Sequence, residues 1–348
     1  MKPRETRPVF QRKTLAVLKR RYNSWFSSLR FCRKLRRMCI PTPASSEPVA
    51  ASATWQTAMT HARAPRGSSA TWAVACVGHL APTTDFDGTV HSVFAHACNI
   101  AASCGLLTIV VRGLADGPTV WRLATDHPGD FRHLFRRGER LRRRGARAAT
   151  RDVVLDLSVA ASWRPAPWPR PSHASAVNLQ MAAAALQRRR RVRSSVIDRE
   201  AETFFRSLGE ACRRLDVARA TVEIDRLVGW GEGLTPAGDD ALVGLLAGMA
   251  ALAGADARRV AFLGSLSAAV AASAARTTDI SAHYLRLAAA GHFNADVTHL
   301  AHALAGGDSD DTRIRDALDA ALAAGATSGA DMVAGMIAGL RTWCAENE

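Results

Sequence analysis

Asp239, Asp240 and Asp331 are the residues whose setting in this sequence points most directly to chemistry. The first two close a glycine-rich loop, Gly-Trp-Gly-Glu-Gly-Leu-Thr-Pro-Ala-Gly-Asp-Asp from Gly229 to Asp240, which feeds an uncharged stretch from Ala241 to Ala255. Gly229, Gly231 and Gly233 alternate, so the backbone can bend at positive φ and let a ligand approach closely. Thr235, Pro236 and the two aspartates sit where a helix begins. Proline suits a helix's first turn, and carboxylates there complement its dipole. Such aspartates can hold Mg²⁺ together with water and substrate oxygens, or simply cap the helix.

A second copy of the motif raises it above a capped helix. Setting Gly238 on Gly329 aligns Gly-Asp-Asp-Ala-Leu-Val-Gly-Leu-Leu-Ala-Gly-Met with Gly-Ala-Asp-Met-Val-Ala-Gly-Met-Ile-Ala-Gly-Leu. Five of the twelve positions are identical, among them Asp240 with Asp331. Thr235 is echoed by Thr327 and Ser328. The pattern reads as two related turns, each a hydroxyl residue, a glycine and an aspartate opening a buried helix. Between the copies lies Arg276-Thr277-Thr278-Asp279-Ile280-Ser281, whose guanidinium and hydroxyls suit a carboxylate or phosphate. The plainer reading of that loop is that Ser281 caps one helix and Arg276 ends another. The geometric expectation is that Asp240, Asp331 and Thr277 converge on one pocket.

Other chemistries lack their signatures. There is no Gly-x-Ser-x-Gly elbow, and the glycine loop is not a Gly-x-Gly-x-x-Gly in a strand-loop-helix unit. His299 with His302, and His91 with His96, have no third ligand at a metal-site spacing. All four lysines lie in residues 1 to 40, so residues 41 to 348 can build neither a Schiff-base site nor a Walker-type phosphate loop.

The charge is equally lopsided. Residues 1 to 40 hold 13 Lys/Arg against one acid, so only +3 of the net +15 belongs to the rest of the chain. The body is nearly neutral, and the basic character resides in an arm. Residues 1 to 70 are expected to be that basic, disordered arm, or an over-extended start with Met38 or Met59 as the true beginning. An amphipathic arm for membrane or nucleic acid is the competing reading. Seven scattered cysteines without a Cys-x-x-Cys pair read as reduced thiols, hence a cytoplasmic protein. No apolar run reaches the roughly 18 residues of a membrane span. The nine arginines from Asp130 to Arg151 and the five from Arg188 to Arg193 read as solvated helix faces rather than a nucleic-acid patch.

The elements that must position these residues fall into two parts, an α+β organisation. Short β-branched runs at 71–77, 106–111, 120–123 and 153–159 predict a small β-rich domain over 71–165, with Val90 to Ser103 as a strand entering a helix. After a proline-rich linker carrying Trp168, an Ala/Gly-rich helical domain over 174–348 is expected. Its helices are expected at 174–191, 195–215, 217–227, 240–252, 258–275, 281–290, 295–304, 311–323 and 330–344.

Three blocks, Gly233 to Asp240, Arg276 to Ser281 and Thr327 to Asp331, together resemble the AllH-like family, which is tied to a subunit of oxamate carbamoyltransferase. His91-Ser92-Val93-Phe94, Asn99 and Val154 to Trp163 look similar to its β-rich part. Glu232 and Ala237 stand where the family pattern has a proline or a serine. The resemblance implies a carbamoyltransferase subunit exchanging oxalurate and phosphate with oxamate and carbamoyl phosphate, in purine or allantoin-type nitrogen catabolism. It implies partner subunits or a homo-oligomer and a small anionic substrate. On that basis the amides from Gly231 and Gly233 to Gly238 would hold phosphate or carbamoyl phosphate, with Thr235 and Asp239 also lining the substrate site. Arg276, Thr277, Thr278 and Ser281 would hold a carboxylate, with Thr327, Ser328 and Gly329 completing the substrate site. Asp240 and Asp331 would be catalytic, and any Mg²⁺ would fall to Asp239, Asp240 and Asp331. A non-catalytic subunit supporting a partner's site and a Mg²⁺-dependent hydrolase are the alternatives.

Overall fold

The computed structural model describes residues 70–125, 128–168, 174–192, 199–306 and 311–343. The expectations for the basic arm lie outside these residues. The first part is a β-barrel of nine strands: β1 (Ala70–Gly78), β2 (Phe86–Val93), β3 (Ala97–Ala102), β4 (Gly105–Val110), β5 (Val120–Leu123), β6 (Arg140–Arg144), β7 (Arg147–Ala149), β8 (Val153–Asp156) and β9 (Ala161–Trp163). The order is β5-β4-β3-β2-β6-β7-β8-β1-β9, and antiparallel pairing of β1 with β5 closes the ring. Closure leaves no long open edge. Alternation does the rest: Val74, Val90, Ile100, Leu107, Ile109, Leu123, Leu141 and Leu155 point inward and are buried.

Two expectations are corrected here. Val90 to Ser103 is not a strand running into a helix but a hairpin, β2–β3, turning where the Phe94 amide donates to the Ala97 carbonyl at 2.8 Å. Pairing of Ile100 with Leu107 buries this alanine-rich segment as a strand, so tertiary context overrides its helical composition. Of the arginines after Asp130, Arg132 lies on a short 3-10 turn (Phe131–His133), Arg136 and Arg137 on the turn that follows it, Arg140 to Arg147 on the β6–β7 hairpin and Arg151 just beyond it, none on a helix face. In β6 only Leu141 enters the core, while Arg140, Arg142 and Arg144 are exposed and Arg143 is half-buried.

The second part is helical: α1 (Ala176–Val192), α2 (Arg199–Arg213), α3 (Val217–Leu227), α4 (Ala237–Ala253), α5 (Ala257–Ser273), a 3-10 turn (Ala274–Arg276), α6 (Asp279–Ala289), α7 (Ala295–Ala305), α8 (Asp311–Ala323) and α9 (Ser328–Thr342). Each predicted helix is present, with ends within a few residues. Trp168 is no free linker residue, because it packs on Phe293 and His302 with ring centroids 5.5 and 5.9 Å away.

The two halves of the repeat, α4 and α9, form the centre of this domain, and their glycines explain how. A Cβ on Gly244 would lie 1.9 Å from the Met332 carbonyl oxygen, and one on Gly335 would lie 1.9 Å from that of Ala241. One turn later Gly248 meets the Met336 carbonyl and Gly339 the Leu245 carbonyl, at 2.5 and 2.4 Å. Only glycine permits such backbone approach. Contacts advance together along both helices, so the helices run parallel. Exchanging the halves maps one set of contacts onto the other, so the repeat folds about a local two-fold axis. Both N-termini therefore lie at the same end.

His283 ties the barrel to the helices. It is buried on α6, where Nδ1 accepts the Leu106 amide at 3.3 Å and Nε2 pairs with the Thr119 hydroxyl at 3.0 Å. Nδ1 accepts an N–H, so the ring is neutral with its proton on Nε2. Burial, reinforced by Arg286, pushes its pKa down to about 4.

Candidate functional site

After α3 the chain bends at Gly229, Gly231 and Gly233, with φ of 75°, 112° and 101°. The bends fold the loop back on the start of α4, where the Gly238 amide donates to the Trp230 carbonyl at 2.9 Å. Gly238 itself is required by packing, because a Cβ there would lie 2.1 Å from the Leu227 carbonyl oxygen. Gly231 and Gly233 form the exposed rim.

Asp239 is 1% exposed and spends both oxygens on the protein. Oδ1 accepts the Gly229 amide at 2.8 Å and Oδ2 accepts the Thr277 hydroxyl at 2.5 Å. Burial raises its pKa, and these donors work against that rise. Thr278 caps α6 by accepting the Ser281 amide at 3.1 Å, and its hydroxyl donates to the Leu234 carbonyl at 2.6 Å. Asp239, Thr277 and Thr278 thus fasten the glycine loop to the α5–α6 turn. Arg276 is occupied in the same way: Nη1 bonds Asp225 Oδ1 at 2.8 Å and Nη2 the Asp225 carbonyl at 2.6 Å. Ser273 also donates to Asp225 Oδ1, at 2.6 Å. The guanidinium anticipated for a substrate carboxylate braces α3 instead.

Asp240 differs from its neighbour. Its Oδ2 is buried with no hydrogen-bond partner. Thr235 and Ser328 stand beside this carboxyl and favour its charged form, while their own side-chain oxygens are 2.7 Å apart. Burial wins, reinforced by the charges of Asp331 and Asp239, and the pKa is pushed up to about 7. Asp331, from the second copy, is 6% exposed on the first turn of α9. Ser281 is 2% exposed; its hydroxyl approaches Asp239 closely enough to favour the carboxylate but makes no hydrogen bond of ordinary geometry. Thr327 occupies the N-cap position of α9 without a side-chain cap bond. Gly329 serves packing, since a Cβ there would lie 2.2 Å from the Ala321 carbonyl oxygen. Asp240, Asp331 and the Thr277–Asp239 pair therefore share one polar cluster where two parallel helices begin.

Tyr284, on α6, was not anticipated from the sequence. Its ring is partly exposed, but its hydroxyl end lies inside, interacting with Thr108 and Asp240, and burial raises its pKa. From Thr108 a polar chain crosses the barrel face. The Thr108 hydroxyl donates to Asn99 Oδ1 at 2.9 Å, and Asn99 Nδ2 donates to Ser92 Oγ at 2.9 Å. Ser92 pairs with His91 Nδ1 at 3.2 Å, and His91 Nε2 with Asp279 at 3.2 Å. In the sequence His91, Ser92 and Asn99 stood out only through the family resemblance, because β2–β3 neighbours paired across a hairpin carry no helical or metal signature.

Next to the cluster, between the barrel and the α5–α6 turn, lies an open cavity of about 760 Å³ lined by His91, Phe94, Arg137, Leu234 and Thr278 among others. Among the described residues no group of three or more His, Cys, Asp or Glu side chains is placed to hold a metal ion. Chemically, the cluster offers two helix N-termini of positive potential and a carboxyl that exchanges its proton near neutral pH.

This is a two-part protein, a closed barrel and a helical domain, with its polar cluster built where two repeated turns meet. Family descriptions match both parts. Residues 69–162 match the AllH family N-terminal domain, and residues 227–340 match AllH, the oxamate carbamoyltransferase subunit. The chain belongs to the AllH-like family. No curated protein and no solved structure matches it significantly.

Proposed function

We propose that this protein is a subunit of a carbamoyltransferase that exchanges a carbamoyl group between phosphate and the nitrogen of a small carboxylate of the oxamate/oxalurate type, as in purine or allantoin-type nitrogen catabolism. The observation that carries this reading is Asp240: a carboxyl with a pKa of about 7 and a buried, unpartnered Oδ2, set where α4 and α9 begin together. Phosphate or carbamoyl phosphate is drawn to the two N-termini and the amides of the Gly231 to Gly238 loop. In phosphorolysis a phosphate oxygen attacks the ureido carbon, the carbon–nitrogen bond breaks, and protonated Asp240 gives its proton to the departing amide nitrogen. The reverse direction returns that proton to Asp240. A group with this proton affinity works as acid or base at neutral pH. Burial keeps the proton on Asp240, and the like charge of Asp331 adds to it. Thr235 and Ser328 supply hydroxyls beside it.

A second reading, a subunit that completes a partner's site, draws on the scaffold role of Asp239, Thr277 and Arg276 and on the exposed tip of the loop, where Leu234 is 55% exposed. Co-purification with a partner whose activity depends on this chain but survives Asp240→Asn favours it.

The test is a melting curve of the full chain with phosphate, carbamoyl phosphate and oxamate. A ligand at 100 times its Kd adds about 2.7 kcal/mol of stability. Stabilisation by the phosphate compounds, together with loss of carbamoyl transfer in Asp240→Asn, is the expected result. Indifference to all three ligands overturns the proposal.

A further inference from the structure

The position expected to bind the substrate carboxylate, Arg276, is occupied by Asp225, which leaves the acceptor side of the site without its cation. The cavity beside the cluster supplies one. Two guanidiniums line it, Arg132 and Arg137. Arg132 is held by its own Asp130, with Nε 3.0 Å from both carboxylate oxygens and Nη2 2.5 Å from one of them. The cavity's histidine, His91, is paired with Asp279. Arg137 has no carboxylate partner among the described residues and remains available.

The segment carrying it is anchored. Phe131 and Phe135 are buried in the barrel core, Phe131 stacks on Trp72 at 5.7 Å, and the two phenylalanines meet edge to face at 5.2 Å. The Gly138 amide donates to the Val90 carbonyl at 2.8 Å, with Gly138 at φ 83°. The backbone at Arg137 is thus anchored between a buried aromatic and a glycine that adopts its positive φ without strain, while the exposed guanidinium is left to order on a ligand. Thr277 and Thr278 line the same cavity, the first bonded to Asp239 next to Asp240. Phe94, Leu234 and Ile280 give apolar walls. The volume lies within the range of small-molecule sites, which combine apolar walls with a few convergent polar groups.

We infer that this cavity is the acceptor subsite and that Arg137 binds the carboxylate of a small amide- or ureido-bearing acid, forked against both oxygens. The inference rests on the transferase reading, because it places the acceptor nitrogen toward Asp240. It also explains why one member of the arginine run sits on an anchored turn: the barrel contributes the specificity residue and the helical domain the chemistry.

The experiment is titration calorimetry of the full chain with oxamate and, separately, with inorganic phosphate, for the unchanged protein, Arg137→Gln and Arg137→Lys. Arg137 is exposed, so neither variant should alter the melting temperature. Arg137→Gln is expected to weaken oxamate about tenfold or more while leaving phosphate binding unchanged, with Arg137→Lys in between. Oxamate binding that is equal in Arg137→Gln and the unchanged protein overturns the inference and leaves the transferase reading standing. So does an equal loss of phosphate affinity, which would make Arg137 a general anion attractor. Failure of the unchanged chain to bind either compound overturns both.

Discussion

Thr235 and Ser328 share a hydrogen bond of 2.7 Å, joining the loop before one repeated helix to the first residue of the other. Both hydroxyls stand beside Asp240 and favour its carboxylate, so they hold its pKa below the value that burial alone would set. Ser328→Ala and Thr235→Val should therefore each move that pKa upward from about 7. Each should also cost about 1 kcal/mol of stability through the lost bond. Carboxyl carbon chemical shifts followed against pH give the first quantity and denaturant melts the second. A downward shift would show that the hydroxyls act on Asp240 through solvent exclusion instead.

The raised pKa of Asp240 also makes folding depend on pH. Its ordinary value is 3.8 and its folded value about 7, so the folded state holds the proton more tightly than the unfolded chain. Stability from this group is fully present below pH 4 and is lost as pH rises through 7. Asp240→Asn keeps the shape and removes the titration. Compared with the unchanged protein, it should melt higher at pH 8 and lose that advantage at pH 4 to 5. Taking the difference between the two proteins isolates Asp240 from Asp239 and His283, which titrate in both. Parallel melting curves at every pH would contradict the burial described for this carboxyl.

Glycine at 244 and 335 is required for a different reason. A Cβ at either position would enter the facing backbone 1.9 Å from a carbonyl oxygen, and a carbonyl cannot swing aside as a side chain can. Gly244→Ala and Gly335→Ala should each cost about 1–3 kcal/mol or more from overpacking, and should part the two N-termini that the site needs close together. Gly264, on α5, has open space around its missing Cβ, so Gly264→Ala should stabilise by up to about 1 kcal/mol. Thermal unfolding of the three variants, with ligand-induced shifts as a second readout, separates packing from simple helix propensity.

The repeat was legible because its spacing is chemical. Glycine every fourth residue after an aspartate states both a close helix contact and a polar opening, and α4 and α9 realise both. Helices were legible because alanine and leucine periodicity is long, whereas β6, β7 and β9 are three to five residues long and two of them consist mostly of arginine and alanine. What makes them strands is the barrel closing around Leu141 and Ala148, a non-local cause that no window of sequence contains. The protein partners of Asp239 and Arg276 were not legible for a related reason. Carboxylate and guanidinium look alike whether they face a ligand or a distant backbone, and only Gly229, Thr277 and Asp225 arriving in three dimensions tells them apart.

The joint between barrel and helices carries a last expectation, because His283 holds it only while neutral. Nδ1 accepts the Leu106 amide and must be unprotonated to do so. The pKa of about 4 lies below the ordinary 6.5, so the folded state resists protonation. The corresponding stability is present above pH 6.5 and is lost as pH falls toward 4. A Cβ on Gly105 would lie 2.8 Å from Nδ1, so the strand approaches too closely for a larger replacement to enter. His283→Ala should leave the Leu106 amide and the Thr119 hydroxyl without their partner, at a cost of about 1–3 kcal/mol. Hydrogen exchange at the Leu106 amide should speed up in His283→Ala at pH 7, and in the unchanged protein as the pH is lowered toward 4. Exchange that stays slow in the variant would mean that β4 is held by its strand neighbours alone, and that Tyr284, one residue further along α6, reaches Thr108 and Asp240 without the histidine.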